Sequence, residues 1–371
     1  MAQSSVKLVR HPLAVGGYLA QITLNAPRSL NALSLEMVAT LLRHLQKLAA
    51  DPEAVAVWLD GAGERGFCAG GDVRAMRNSA LAAKGGRALA AEKFFEIEYR
   101  VDYLIHCFPK PVLCWGNGIV MGGGLGLLMG ASHRIATPSS HFVMPEVSIG
   151  LYPDVGASWF LQRMPECTGL FCALTGANLN AADALYSGLA DYLLPETARR
   201  SLLLHLLSLD WFFDGEQDAE LLTAELTDLE VEYEVCLPES HLKSRAGLIE
   251  QLCESLEPAA LDVALAGLHG DDLWLSSASE NFSRGSASTG RIVLEQYRRG
   301  AKLSLADALR MELVISANRV CTAEFIEGVR AQLVDKDRRP QWQYPNLASV
   351  PDEEINALFE APWAENPLAD L

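Results

Sequence analysis

The stretch GNGIVMGGGLGLLMG, Gly116–Gly130, carries seven glycines in fifteen residues and decides how the first half of the chain is interpreted. It continues the apolar run PVLCW, which predicts a buried strand, and it runs into an apolar segment that predicts a helix. Gly122, Gly123 and Gly124 are therefore expected near a helix N-terminus, where unpaired amides and the helix dipole favour negative charge. Glycine also lets a ligand approach the backbone closely. The alternative is a tight turn with close helix packing and no ligand.

A second glycine loop, GFCAGGDVRAM at residues 66–76, also follows a predicted strand and leads into a helix with Asp72 as its N-cap. If the two loops meet, two backbone N–H groups can converge on one oxygen and stabilise an oxyanion at an acyl carbon. Cys68 lies within this loop, but no base stands near it in the sequence. We therefore interpret Cys68 as a packing residue rather than a nucleophile.

The order of elements predicts an α/β fold. Strand patterns such as YLAQITLN at residues 18–25 alternate with helical patterns such as SLEMVATLLRHLQKLAA at 34–50 over the first two hundred residues. From ARRSLLLHLLSLDWFFDG onward the patterns are helical. The sequence therefore predicts a core at 1–195 that contains the active site, followed by a helical C-terminal region at 196–371. Within that region we expect an acidic helical insert at about 196–285 and C-terminal helices at about 286–371.

The charge of the chain restricts its partners. Forty-seven acidic residues against thirty basic ones give a formal net charge of −17, which opposes binding to nucleic acid or to an anionic membrane. Eight cysteines show neither CxxC pairs nor framework spacing, which favours reduced thiols. The first residues resemble neither a secretory signal nor an Arg-rich transit peptide. No apolar stretch has the pattern of a membrane span. The sequence therefore predicts a cytoplasmic protein.

Two carboxylates stand out in MPEVSIGLYPDVGASWF at residues 144–160. Glu146 and Asp154 each follow a proline and lie among apolar residues, where a carboxylate suits general acid–base chemistry because burial raises its pKa. The alternative is that both are turn or cap residues. Three other kinds of site fit the sequence poorly. A serine hydrolase is disfavoured because no G-x-S-x-G motif occurs, and a metal site because no histidine pair has metal-ligand spacing. A dinucleotide site is disfavoured because the glycines have the spacing GxGxxxG, one residue longer than the usual fingerprint. No metal is expected.

Four motifs in this order resemble the crotonase (enoyl-CoA hydratase/isomerase) superfamily, and more narrowly its 3-hydroxyisobutyryl-CoA hydrolase branch: ITLNAPRSLNALS, GFCAGGDVRAM, GNGIVMGGGLG and MPEVSIGLYPDVGASWFL. The resemblance runs from about residue 16 to about 360. It is weakest at 195–285 and resumes in EFIEGVRAQLVDKDRRPQW, a C-terminal signature that ordinary hydratases lack. It implies a superhelix of ββα turns, a helical C-terminal region and a coenzyme A thioester as substrate.

The same resemblance assigns roles to individual residues. The amides of Gly71 and Gly123 would form the oxyanion hole, and Glu146 matches one of the two glutamates of family hydratases. Those hydratases place their other glutamate two residues after the glycine triplet, where this chain has Gly126, so simple hydration is disfavoured. Asp154 matches an aspartate of the hydrolase branch. Glu146, Asp154 and the Gly123 amide are thus expected to bind substrate as well as to act in catalysis.

Glu98 and three coenzyme-binding residues complete the expected site. Helical geometry places Glu98 at the border of an apolar face, and the resemblance implies that it holds a substrate hydroxyl; the alternative is a partly solvated helix-edge charge. The resemblance also implies that the backbone at Ala69 and Asp72 lines the adenine pocket and that Arg28 reaches a phosphate. A plain surface arginine is the alternative for Arg28. No cofactor is expected, because coenzyme A belongs to the substrate.

These observations favour hydrolysis of a short 3-hydroxyacyl-CoA. The resemblance implies 3-hydroxyisobutyryl-CoA, which would give 3-hydroxyisobutyrate and coenzyme A in valine breakdown. Glu146 either activates water or attacks directly to give a mixed anhydride, and the sequence leaves both open. The first alternative is an enoyl-CoA isomerase or hydratase in which Glu146 shuttles a proton. A non-catalytic RNA-binding or scaffold member is a remote one. A homo-oligomer is expected.

Overall fold

The computed structural model describes residues 4–268 and 270–371, and these fall into two compact units that are interleaved along the chain. The first unit contains residues 4–71, 100–142 and 179–240. The second contains residues 72–99, 143–178 and 241–371. The expected boundary at 195 stays a prediction, and each unit is described here by itself.

Nine strands and sixteen α-helices make up the described fold. The strands are β1 Val6–Pro12, β2 Tyr18–Leu24, β3 Ala54–Gly61, β4 Gly66–Cys68, β5 Val112–Gly116, β6 Ile119–Met121, β7 His133–Ala136, β8 His141–Val143 and β9 Tyr192–Leu193. The helices are α1 Leu35–Ala50, α2 Val73–Ala82, α3 Leu89–His106, α4 Gly123–Gly130, α5 Ala157–Phe160, α6 Thr168–Thr175, α7 Ala181–Ser187, α8 Ala198–Leu206, α9 Gly215–Tyr233, α10 His241–Leu252, α11 Pro258–Ala266, α12 Leu273–Arg284, α13 Ala287–Gly300, α14 Leu305–Arg319, α15 Ala323–Val329 and α16 Asp352–Leu358.

The first unit is built on a six-stranded sheet in the order β1-β2-β3-β5-β7-β9. β1 and β2 are antiparallel, and the pairs from β2 through β9 are parallel. β3 reads AVAVWLDG and is buried throughout, as expected for a central parallel strand covered on both faces. A second sheet of three short strands, β4-β6-β8, carries β4 and β6 in parallel. The two glycine-rich loops follow β4 and β6.

Local signals account for the helices of this unit. The Ser34 hydroxyl accepts the Met37 N–H and caps α1, as the sequence predicts. The apolar faces of α8 and α9 pack on the six-stranded sheet around Trp58 and Trp115, whose rings stack with centroids 5.9 Å apart. The start of the acidic helical region is thus bound to the sheet core by apolar burial.

The second unit is mostly helical. The Asp72 carboxylate accepts the Ala75 N–H and caps α2, which confirms the expected cap. α14 begins with the Ser304 cap and ends at Arg319. Every regular element after β9 in the described chain is helical, in agreement with the predicted helical C-terminal region. None of the helices in the described ranges combines the length and the hydropathy that a membrane crossing needs.

Candidate active site

The two glycine loops meet within the first unit. Gly70 has φ +87°, and a Cβ on it would lie 3.0 Å from the Met121 carbonyl oxygen and 3.2 Å from the Gly123 nitrogen. Gly124 packs so closely against Cys68 that a Cβ added to Gly124 would lie 2.8 Å from the Cys68 Cβ. The oxyanion hypothesis requires these loops to meet, and their close approach is possible because glycine has no side chain.

Backbone geometry at the two loops suits an anion. Gly122 has φ +50° and ψ −122°, a conformation open to glycine, and serves as the N-cap of α4. Gly123 is the first residue of that helix, so its N–H has no acceptor within the helix. On the other loop, Leu33 donates its N–H to the Gly70 carbonyl at 2.8 Å and pairs with Gly71 in a parallel bridge. The convergence of the Gly71 and Gly123 amides on one oxygen stays a prediction.

We expect Gly124→Ala to destabilise the protein by about 1–3 kcal/mol, because the new methyl group overlaps Cys68 in a packed core. Urea unfolding measures the change in the free energy of unfolding. The matched control is Gly247→Ala in α10, where an added Cβ meets nothing within 4 Å. It should stabilise the protein by up to about 1 kcal/mol, since alanine favours helix over glycine. Equal effects of the two substitutions would contradict the packing account.

Glu146 lies in the second unit at the start of the 3-10 helix Glu146–Ile149. Its side chain is only 4% exposed, and its Oε2 has no hydrogen-bond partner among the residues that the structure describes. Burial raises the pKa of Glu146 well above its ordinary value, and the negative charge of Asp154 raises it further. A buried carboxyl with an unused oxygen is costly for stability, and such groups are concentrated at functional sites.

Asp154 is equally buried, at 4% exposure, and its carboxylate accepts a hydrogen bond from a tyrosine. The Tyr99 hydroxyl donates to its Oδ2 at 2.7 Å. Burial raises the pKa of Asp154 to about 6, although the hydrogen bond from Tyr99 opposes that rise. The expected pair of buried carboxylates is therefore present in the second unit, and burial raises the pKa of both.

The remaining predicted residues are placed as follows. Glu98 is 2% exposed in α3, so the alternative of a solvated helix-edge charge is wrong, and its role toward substrate stays a prediction. Ala69 donates its N–H to the Leu30 carbonyl at 3.0 Å. Asp72 is occupied as a helix cap. Arg28 is exposed in the short helix Pro27–Ser29. Their contacts with coenzyme A stay predictions.

Buried polar residues of α14 escaped the sequence analysis. Glu312, Ser316 and Arg319 lie at most 2% exposed and contact the segment that carries Glu146 and Asp154. The available signal was Glu312 itself, a carboxylate among the apolar residues of MELVIS. Two tyrosines next to the predicted carboxylates, Tyr99 and Tyr152, were also missed. No group of three metal-ligating side chains occurs in the part of the chain that the structure describes.

Comparison with known proteins identifies relatives along almost the whole chain. A family model described as enoyl-CoA hydratase/isomerase matches residues 19–359. The chain is 35% identical over 353 residues to a mitochondrial 3-hydroxyisobutyryl-CoA hydrolase of Danio rerio, covering 93% of this chain and 88% of the relative. It is 34% identical over 355 residues to 3-hydroxyisobutyryl-CoA hydrolase 1 of Arabidopsis thaliana, covering 94% and 90%.

Solved structures give the same fold. A carnitinyl-CoA dehydratase from Mycobacterium thermoresistibile matches with a TM-score of 0.84 and 33% identity over 98% of both chains. An enoyl-CoA hydratase from Rhodobacter sphaeroides 2.4.1 matches with a TM-score of 0.82 and 31% identity, covering 97% of this chain and 98% of that one. The predicted crotonase-like fold is confirmed.

Proposed function

This chain belongs to the enoyl-CoA hydratase/isomerase family, and on that premise we propose that it is an acyl-CoA thioesterase acting on 3-hydroxyisobutyryl-CoA. The products are 3-hydroxyisobutyrate and coenzyme A. Relatives that bear the name of this hydrolase cover 93% and 94% of the chain at 35% and 34% identity. The substrate class is therefore a short 3-hydroxyacyl thioester, as the sequence motifs imply.

The buried pair Glu146 and Asp154 carries the proposal. Both side chains are excluded from water, and both have raised pKa values because of burial. A buried carboxylate pair can serve thioester hydrolysis, because one carboxylate can act on water or on the carbonyl carbon while the second orients the reactants. Gly126 stands at the position where family hydratases carry their other glutamate, which favours hydrolysis over addition of water.

In the proposed reaction the carbonyl oxygen of the thioester accepts hydrogen bonds from the backbone N–H groups of Gly71 and Gly123. These donors stabilise the negative charge that develops when the carbonyl carbon is attacked. Glu146 either removes a proton from the attacking water or forms a mixed anhydride that water then cleaves. The C–S bond breaks, and coenzyme A leaves as the thiolate, which takes up a proton. Asp154 and Glu98 orient water and the 3-hydroxyl group.

Coenzyme A is held as part of the substrate, and the proposal needs no further cofactor and no metal. Arg28, exposed on the short helix after β2, supplies the positive charge for a phosphate in an otherwise acidic chain. The backbone at Ala69 and Asp72 borders the adenine. These three assignments follow from the motif positions that the chain shares with its family.

The alternative activity is that of an enoyl-CoA isomerase, which one catalytic carboxylate is enough to perform. In that reaction Glu146 moves a proton between two carbons, and nothing is hydrolysed. A 3-enoyl-CoA distinguishes the two activities, because isomerisation gives a conjugated product that absorbs in the ultraviolet and releases no thiol.

Free thiol release, followed with a thiol reagent, tests the proposal directly. We expect rapid release from 3-hydroxyisobutyryl-CoA and slower release from acetyl-CoA, propionyl-CoA and isobutyryl-CoA, because these three lack the 3-hydroxyl group that the site is proposed to bind. Isobutyryl-CoA is the matched comparison, since it lacks only that hydroxyl. If none of these thioesters releases thiol above the uncatalysed rate, hydrolysis is the wrong activity. Equal rates with and without the 3-hydroxyl would contradict the proposed substrate class and leave thioester hydrolysis standing.

We expect Asp154→Asn to lower the rate of thiol release by about a hundredfold and to move the acid limb of the pH profile to lower pH, because the neutral amide removes the negative charge that raises the pKa of Glu146. Because burial raises the pKa of Asp154 to about 6 and raises that of Glu146 as well, the wild-type activity should grow as the pH rises through 6 and both carboxyls ionise. The measurement is kcat/KM as a function of pH. The control is Asp335→Asn, an exposed surface partner of Arg330, which should leave the profile unchanged. If Asp154→Asn keeps the wild-type acid limb, this assignment is refuted.

We propose that the protein works in a reducing compartment and forms a homo-oligomer. All eight cysteines are thiols in the described structure, which fits a reducing compartment. The cytoplasm and the mitochondrial matrix both meet that condition, and the animal relatives carry a mitochondrial location in their names. A homo-oligomer is proposed, and light scattering on the purified chain measures its mass.

A further inference from the structure

We propose that one buried face of α14, formed by Glu312, Ser316 and Arg319, is the positioning element for the segment Glu146–Ser158, which carries both carboxylates of the proposed reaction. The inference rests on the proposed function for the meaning of Glu146 and Asp154. It adds residues that act through others, from a helix more than 150 residues further along the chain.

The spacing of the three residues places them on one helix face. Positions i, i+4 and i+7 of an α-helix lie one above another on the same side. All three side chains are buried, and Glu312 and Ser316 have no exposed surface. Burying a carboxylate, a hydroxyl and a guanidinium in a row is unfavourable unless each has partners. Their partners lie in or beside the segment Glu146–Ser158.

Glu312 holds the turn that follows Asp154. Its Oε2 accepts the N–H of Gly156 at 2.7 Å, and its Oε1 accepts the N–H of Ser158 at 2.8 Å. In that turn Val155 has φ +55° and Gly156 has φ +88°. A β-branched residue in the left-handed region is strained, and such a conformation persists only where the surroundings enforce it. The two hydrogen bonds to Glu312 supply that constraint directly beside Asp154.

Ser316 connects α14 to the Asp154 carboxylate through Tyr99. The Ser316 hydroxyl lies 2.7 Å from the Tyr99 hydroxyl and 2.7 Å from the Tyr152 hydroxyl. Because Tyr99 has one hydroxyl hydrogen and donates it to Asp154 Oδ2, its oxygen accepts from Ser316. The single hydroxyl hydrogen of Tyr152 is then left for the two acceptors within its reach, Ser316 Oγ and the Glu312 carbonyl oxygen at 2.6 Å. A chain of buried hydroxyls therefore fixes the rotamer of Asp154.

Arg319 holds the turn that begins at Glu146. Its Nε donates to the Gly150 carbonyl at 2.6 Å, and Gly150 closes the 3-10 helix by donating its own N–H to the Glu146 carbonyl. The guanidinium is fixed by donation from its Nη2 to Ser288 Oγ at 2.8 Å and lies 3.8 Å from the Glu324 carboxylate. Gly150 has φ +67°, and a Cβ there would overlap the Glu324 carbonyl. The position of Glu146 is thus set from the far end of its turn.

Hydrolysis depends on such positioning, because catalytic groups must be held within a fraction of an ångström of their working geometry. The titratable groups around Asp154 are Tyr99, which donates a hydrogen bond to it, and Glu146, Tyr152 and Glu312, whose pKa values its negative charge raises. Of these, the Tyr99 hydrogen bond lowers the pKa of Asp154. Loss of that hydroxyl should therefore raise the pKa of Asp154 above 6.

The test compares Tyr99→Phe and Ser316→Ala with wild type. We expect kcat for thiol release to fall about tenfold in each, with KM changed by less than about twofold, because the lost hydrogen bonds orient a catalytic group without touching substrate. In Tyr99→Phe the acid limb of kcat should move to higher pH by about one unit. The control is Ser279→Ala in α12, which removes a fully buried hydroxyl that has no hydrogen-bond partner in the described structure and should leave kcat unchanged.

The positioning face and the proposed function can each be refuted without the other. Wild-type kcat and an unmoved acid limb in both variants, with rapid thiol release by wild type, would refute the positioning face and leave the hydrolase intact. If wild type releases no thiol, an NMR titration of ¹³C-labelled aspartate still decides the matter. An Asp154 pKa that rises in both Tyr99→Phe and Ser316→Ala and not in Ser279→Ala supports the positioning face, and an Asp154 pKa that is unchanged in Ser316→Ala overturns it.

Discussion

Replacing Glu146 with Gln should lower the rate of thiol release from 3-hydroxyisobutyryl-CoA by about 10²–10⁴-fold, the range that a general base or its equivalent contributes. The amide has the shape of the carboxylate but can neither take a proton from water nor form an anhydride. Because the pKa of Glu146 is raised by burial, the neutral glutamine should be tolerated in the fold, and the melting temperature should not fall. Steady-state thiol release and thermal unfolding measure the two quantities.

The matched control is Glu280→Gln, an exposed glutamate of α12 that pairs with Arg284 at the surface and should leave the rate unchanged. Near wild-type activity in the Glu146→Gln variant would exclude Glu146 from the chemistry. Trapping with hydroxylamine then separates the two routes that the sequence leaves open. A hydroxamate at Glu146 during turnover identifies direct attack, because only an acylated Glu146 carboxyl reacts with hydroxylamine in this way.

Replacing Gly123 with proline should lower kcat by about 10²–10³-fold, because the substitution deletes one proposed oxyanion donor. Proline has no backbone N–H, and the first position of a helix is where it fits best. Gly123 is that residue in α4, and Gly122 before it lies outside the helical region, with a ψ of −122°. The variant therefore removes the N–H while it keeps the helix.

Two further variants separate the amide from other effects. Gly123→Ala adds a Cβ and keeps the N–H, so the ratio of its kcat to that of Gly123→Pro measures the donor. Leu35→Pro places proline at the first position of α1, on a side chain that is 39% exposed, and reports the cost of proline at a helix start. If the proline and alanine variants at 123 have equal kcat and both remain folded, the Gly123 amide is not an oxyanion donor.

Much of the fold and part of the site could be predicted from the sequence, because the signals are local. Ser34 and Asp72 cap helices, as their positions ahead of apolar periodic segments indicate. The uninterrupted apolar run of β3 marks a strand buried on both faces. The glycines at 70, 122 and 124 mark close backbone approach, and the prolines before Glu146 and Asp154 single out two carboxylates in apolar surroundings.

The tertiary structure alone decided which distant residues hold those carboxylates. Tyr99 and Ser316 are separated by 217 positions, yet their hydroxyls lie 2.7 Å apart beside Asp154. Glu312 and Arg319 fix the turn that follows each carboxylate from within a helix whose sequence predicts only a capped, largely apolar element. Caps, turns and periodicity are set by neighbours along the chain, whereas a buried polar network forms only where folding brings separate segments into contact. The sequence therefore determined the elements and the reactive groups, and the packing of the second unit determined how those groups are held.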